Sequence, residues 1–105
     1  MVGLRALVVE DDASMLRALE RSLKFMGYDV TPQNYLSNQS VPKVAFDLAV
    51  VDGLDGSGIP FLKDVNAERK FLYTADNEMI KNAKRDGLEA YEKGMLMEEI
   101  LEAGE

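Results

Sequence analysis

Five side chains in this sequence could do chemistry together. Glu10 closes an apolar run that starts at Leu4, with Asp11 next to it, and Asp52 closes a second run, FDLAVVD, that starts at Phe46. Thr74 and Lys93 follow two shorter runs. The chain has no His and no Cys, which removes the commonest general base, the thiolate nucleophile and the usual zinc ligands. Chemistry is left to carboxylates, hydroxyls, amines and a hard cation. Clustered carboxylates repel one another unless a cation neutralises them, and an all-oxygen set completed by water suits Mg2+. A metal-braced Asp beside an amine and a hydroxyl can accept a phosphoryl group, because charge on the equatorial oxygens needs cationic and hydrogen-bonding partners. The expected product is an acyl phosphate on Asp52.

These residues are far apart in sequence, so the elements between them must bring them to one place. Residues 4–9 and 46–51 are short apolar runs without strict alternation, the pattern of strands buried on both faces of a parallel sheet. Between them, Leu16, Leu19, Leu23 and Met26 recur at helical spacing, with Asp12 as a cap and Gly27 as a stop. Residues 28–31 read as a second strand ended by Pro32, and residues 33–43 as a short or irregular helix. After Asp52 the glycine-rich stretch GLDGSG reads as a loop, and residues 59–65 as a helix starting near Pro60. Residues 70–73 form a fourth strand. A polar helix follows, capped by Asp76, with Lys84 and Arg85 in its last turn and Gly87 beyond. Residues 89–92 form a fifth strand, and residues 96–103 a last helix with Leu96, Ile100 and Leu101 or Met97, Ile100 and Leu101 turned inward. Strands alternating with helices imply an α/β fold: a parallel sheet covered on both faces, joined by right-handed crossovers. In such sheets ligands gather outside the carboxyl ends of the strands, where all five residues would stand.

With 47% hydrophobic and 30% charged residues among 105, the chain reads as one globular domain, residues 1–105, rather than as a disordered segment. The net charge of -7 and the lack of a basic block argue against direct nucleic-acid binding. They suit a protein partner or a divalent cation better. No apolar run approaches the roughly 20 residues that cross a bilayer, and the first residues carry no secretory h-region. A cytoplasmic protein without a membrane partner is expected.

The motifs LVVEDD (7–12), FDLAVVDG (46–53), YTAD (73–76) and YEKG (91–94) resemble, in order and over nearly the whole chain, those of response-regulator receiver domains of two-component signalling. The resemblance implies the flavodoxin-like sheet of chemotaxis-type receivers, strand order 2-1-3-4-5; the segments after strand two and after Asp52 are shorter than the family usually has, so shortened helices 2 and 3 are expected. By position it implies that Asp52 is phosphorylated, Asp11 ligates Mg2+ directly and Glu10 through water, and the backbone carbonyl of Leu54 completes the protein's share. Thr74 would bind a phosphoryl oxygen and transmit the switch, and Lys93 would pair with the phosphoryl group. A histidine kinase or phosphotransfer protein would be the donor, and a downstream protein the target. The chain would then be a phosphoacceptor that can promote its own phosphorylation and dephosphorylation, not an enzyme acting on free substrates.

The chain departs from the family pattern in places. Gly94 stands where a Pro usually follows the lysine. Tyr91 is one residue nearer Lys93 than the family's switch aromatic, leaving Ala90 in that slot, and a one-residue slip along a strand reverses the face. The alternative is a pseudo-receiver, an interaction module that signals without phosphorylation. DGLDGSG also faintly resembles the DxDGT signature of haloacid-dehalogenase-type phosphatases, but one residue too many separates Asp52 from Asp55. Taken singly, Asp12 reads as a helix cap, Tyr91 as a half-buried strand aromatic, and the six Met residues as core filling.

Overall fold

The two most apolar runs lie side by side at the centre of one sheet. In the computed structural model, which describes residues 3–34 and 41–103, β1 (Leu4–Glu10) pairs in parallel with β3 (Phe46–Val51), Ala6 opposite Leu48 and Val9 opposite Val51. β2 (Tyr28–Asn34) adds to the far side of β1, while β4 (Ala67–Thr74) and β5 (Glu89–Glu92) add beyond β3. The sheet is five-stranded and parallel, in the order β2-β1-β3-β4-β5. This is the flavodoxin-like order that the resemblance implied.

Helices cover both faces, and strand alternation divides the core between them. α1 (Ala13–Phe25) and α4 (Met97–Ala103) lie over Ala6, Val8, Leu48, Val50, Phe71 and Tyr73. α2 (Gly58–Asp64) and α3 (Asn77–Arg85) lie over Leu7, Val9, Ala49, Val51 and Leu72. Met97 and Ile100 are buried in α4 and Leu96 is 57% exposed, which settles the last helix's inner face. Asp12 caps α1, accepting from the amides of Ser14 and Met15 at 2.9 and 3.2 Å. Asp76 caps α3 in the same way through Glu78 and Met79, at 2.9 and 3.3 Å.

Element boundaries differ from the sequence reading where polar residues hid a strand. β2 runs through Pro32 to Asn34 instead of stopping at residue 31. It is an edge strand, where a residue without an N–H is tolerated. β4 begins at Ala67, three residues earlier than expected, because Ala67 and Arg69 pair with Phe46 and Leu48. α2 starts at Gly58 and ends at Asp64, and a 3-10 turn, Leu54–Gly56, occupies part of the expected loop. Residues 33 and 34 of the expected second helix belong to β2, and its centre, 35–40, lies outside the described residues. Among the described residues no helix is long and apolar enough to cross a membrane.

Candidate functional site

Parallel strands in register end together, so their last residues share one rim. Glu10 is the final residue of β1, and the amide of Asp52 donates to the carbonyl of Val9 at 2.9 Å, placing Asp52 beside it. Thr74 ends β4, and the amide of Lys93 donates to its carbonyl at 2.9 Å. The four elements that carry the predicted residues therefore meet at the carboxyl edge.

The side chains converge as well. Lys93 Nζ lies 2.7 Å from Asp52 Oδ1 and 3.1 Å from Glu10 Oε2. The other oxygens are also held: Asp52 Oδ2 accepts from the Leu54 amide at 3.0 Å, and Glu10 Oε1 accepts from the Asp12 amide at 3.2 Å and from Lys93 Nζ at 3.3 Å. Glu10 is 1% exposed, Asp52 8% and Thr74 5%, while Asp11 is exposed. Burial pushes the Glu10 carboxyl up, the Lys93 hydrogen bond opposes that, and the neighbouring Asp52 charge adds to it. Burial also works against the Lys93 ammonium, but its hydrogen bonds to Asp52 and Glu10 outweigh that and raise its pKa.

Glu10, Asp11 and Asp52 each offer a carboxylate oxygen within 4.8 Å of the others. These three carboxylates against the one ammonium of Lys93 leave two negative charges uncompensated. Among the described residues Glu10 Oε2 is buried and accepts no hydrogen bond, and the Lys93 ammonium lies 3.1 Å from it. An all-oxygen, doubly negative, partly exposed cluster fits a divalent cation. The Leu54 carbonyl accepts from the Ser57 amide at 3.0 Å, inside a turn where Leu54 and Asp55 take positive φ angles of 50° and 52°.

Thr74 approaches from the other face of the sheet. Its Oγ1 accepts from the Asp76 amide at 3.2 Å, and a Cβ built on Gly53 would lie 2.9 Å from that oxygen. The hydroxyl is thus packed against the residue after Asp52. Tyr91 does not join it. Tyr91 pairs with Tyr73, on the α1/α4 face, and packs edge-on against Phe71 with ring centroids 5.2 Å apart. Its hydroxyl donates to Glu89 Oε1 at 2.7 Å. Ala90, buried opposite Leu72, occupies the Thr74 face instead. Among the described residues β5 therefore places no aromatic side chain on the Thr74 face.

Two contributors carried no sequence signal strong enough to single them out. Tyr73 holds the turn that presents Lys93: its hydroxyl donates to the Met95 carbonyl at 2.7 Å and accepts from the Gly94 amide at 3.3 Å. Gly94 has φ 113°, so neither the ring nor the missing N–H of a Pro is compatible with this turn. Met79 reaches back from α3 to Gly53, a place more specific than the core filling that methionine suggests in sequence. Its spacing with Ile80 and Ala83, one helical face, is the signal that could have placed it over the strand ends.

No protein-family model matches the chain, and no curated protein matches it. Solved structures do. A response regulator protein from Burkholderia pseudomallei, solved with a phosphorylated aspartic acid, a calcium ion and citrate, is 23% identical over 93% of this chain, with a TM-score of 0.68. The chain spans 64% of that protein's length. A CheY-like receiver domain protein from Methanospirillum hungatei JF-1 is 24% identical, TM-score 0.69, with 95% of this chain and 89% of that one covered. Vibrio cholerae chemotaxis protein CheY4 is 20% identical, TM-score 0.72, with coverage of 97% and 96%. The fold is that of the response-regulator receiver domain.

Proposed function

We propose that this chain works as a two-component receiver: Asp52 accepts a phosphoryl group in a Mg2+-dependent reaction, and the modified state regulates a protein partner. The observation that carries this reading is the seating of Lys93 Nζ between Asp52 and Glu10, at 2.7 and 3.1 Å, within a three-carboxylate cluster. The phosphorylated aspartic acid and calcium ion of the Burkholderia structure support it by analogy of fold.

The donor would be a phosphohistidine of a histidine kinase or phosphotransfer protein. An Asp52 carboxylate oxygen attacks phosphorus, the P–N bond breaks, and its electron pair leaves with the imidazole, which takes up a proton. The product is a mixed anhydride on Asp52. Asp11 and Asp52 would hold Mg2+ directly, Glu10 through water, and the Leu54 carbonyl would complete the set. The bound ion supplies positive charge to the equatorial oxygens. Lys93 pairs with one phosphoryl oxygen and the Thr74 hydroxyl donates to another. Water attack on phosphorus releases inorganic phosphate and returns the free carboxylate, so the acceptor resets itself.

Incubation with Mg2+ and acetyl phosphate, followed by intact-mass measurement, tests this. The expected result is the gain of one phosphoryl group, absent when Mg2+ is chelated before the donor is added and absent in Asp52→Asn. A second reading, a phosphorylation-independent interaction module, is favoured by Gly94 at φ 113° and by Tyr91 on the face opposite Thr74. An unchanged mass together with unchanged spectra on addition of Mg2+ and beryllofluoride would select it.

A further inference from the structure

A closed circuit of contacts joins Asp52's neighbour to the first turns of α3. Thr74 Oγ1 accepts from the amide of Asp76, the residue that caps α3. Asp76 Oδ1 in turn accepts from the amide of Met79. Met79 is half-buried, and its sulfur returns to the starting point: a Cβ built on Gly53 would lie 2.5 Å from Met79 Sδ and 2.9 Å from Thr74 Oγ1. Gly53 follows Asp52 directly, so strand end, hydroxyl, helix cap and thioether form one ring of neighbours.

Among the described residues, β5 places no bulky apolar side chain on this face. Ala90 fills the β5 position and ends at its methyl. Tyr91 is held on the opposite face by Phe71 and Glu89, and by Arg69 Nη2, which donates to its hydroxyl at 3.4 Å.

We propose that Met79 is the residue through which the state of the Asp52 site reaches α3, taking the place of a strand aromatic. The proposal rests on the phosphoacceptor reading above. A phosphoryl group on Asp52 offers the Thr74 hydroxyl a charged acceptor, and the hydroxyl turns toward it. The Asp76 amide loses its acceptor geometry, the α3 cap shifts, and Met79 slides over Gly53. A thioether on three rotatable bonds can follow such a shift without opening a cavity. Output then leaves through the N-terminal half of α3, and Tyr91 stays where it is.

Methyl NMR of the full chain with labelled methionines tests this, Met79 being assigned by Met79→Leu. Addition of Mg2+ and beryllofluoride is expected to shift the Met79 methyl, to leave that of Met97 in the α1/α4 core unmoved, and to shift the Asp52 and Gly53 amides. Tyr91→Leu is expected to keep the Met79 response. A response of the amides with a stationary Met79 methyl would overturn the coupling and leave the phosphoacceptor reading intact. Loss of the Met79 response in Tyr91→Leu would overturn it too, by returning the role to the aromatic. If neither amides nor methyl respond, the phosphoacceptor reading fails and the coupling with it.

Discussion

Lys93 Nζ sits 3.1 Å from Glu10 Oε2, the described buried side-chain atom that accepts no hydrogen bond. In a carboxylate 1% exposed, whose other oxygen accepts from the Asp12 amide and Lys93, an oxygen without such a bond is tolerated while an opposite charge stands beside it. Lys93 therefore has a structural duty alongside its chemical one. Lys93→Met should lower the unfolding free energy at neutral pH by roughly 2 kcal/mol, since it leaves Glu10 buried and unpaired. Mg2+ should then restore more stability to the variant than it adds to the parent chain. Urea unfolding of both proteins with and without Mg2+ measures this, and equal stabilities would remove Lys93 as the counter-charge.

Asp11 and Asp12 are adjacent carboxylates with different work. Asp12 Oδ1 accepts from two amides at the start of α1; Asp11 is exposed and faces the acidic cluster. Asp12→Ala should cost about 1 kcal/mol of stability and leave Mg2+ affinity unchanged. Asp11→Ala should stay within about 0.5 kcal/mol in stability and weaken Mg2+ binding. Thermal unfolding and calorimetric titration with Mg2+ separate the two, and a reversed pattern would reassign them.

Replacing Gly94 with the residue usual in receivers should harm this chain. Pro cannot reach φ 113° and would remove the N–H that Tyr73 Oη accepts. Gly94→Pro is expected to destabilise by more than about 1 kcal/mol and to slow phosphorylation by misplacing Lys93. Gly94→Ala should be intermediate, with strain of order 1–3 kcal/mol but the N–H retained. Chemical denaturation and mass-gain kinetics of the two variants report these effects.

Glu89, Tyr91 and Arg69 give stability a signed pH dependence. Burial pushes the Glu89 carboxyl up, but hydrogen bonds from Arg69 and Tyr91 outweigh it and hold it below its ordinary 4.5. Its contribution is complete above that value and is lost as pH falls below it. The hydrogen bond to Glu89, with burial and the Glu89 charge, raises the Tyr91 phenol above its ordinary 10.0, and an Arg69 hydrogen bond opposes this. That contribution is complete below pH 10.0 and is lost as pH rises through the folded value. Tyr91→Phe should cost about 0.5 kcal/mol at neutral pH, a hydrogen bond discounted for the exposure of Glu89. The gap to the parent chain should close in alkali. Unfolding curves at neutral and alkaline pH check the sign; a gap that widens above pH 10.0 would contradict it.

Arg69 shows how much a single strand position can hide. It binds Glu89 at 3.0 Å and the carbonyls of Ile100 and Leu101 at 2.9 and 3.2 Å, tying β4, β5 and the end of α4 together. In sequence it is one charge in the polar stretch AERK, whose first three residues lack the apolar pattern of a strand. Parallel pairing with β3 overrode that local pattern.

The sequence alone determined what depends on residue type and period. Apolar runs that end in Glu10, Asp52 and Thr74 belong in a parallel sheet, and parallel strands in register deliver their last residues to one rim. The absence of His and Cys confined the chemistry of that rim to oxygen ligands and an amine. Only the tertiary structure decided which face each residue takes beyond those runs. Tyr91 and Ala90 differ by one position, and strand alternation sends one to the α1/α4 core and the other behind Thr74. The turn at Gly94 and the reach of Met79 to Gly53 depend on how a loop and a helix pack against strand ends remote in sequence, and no local pattern encodes that.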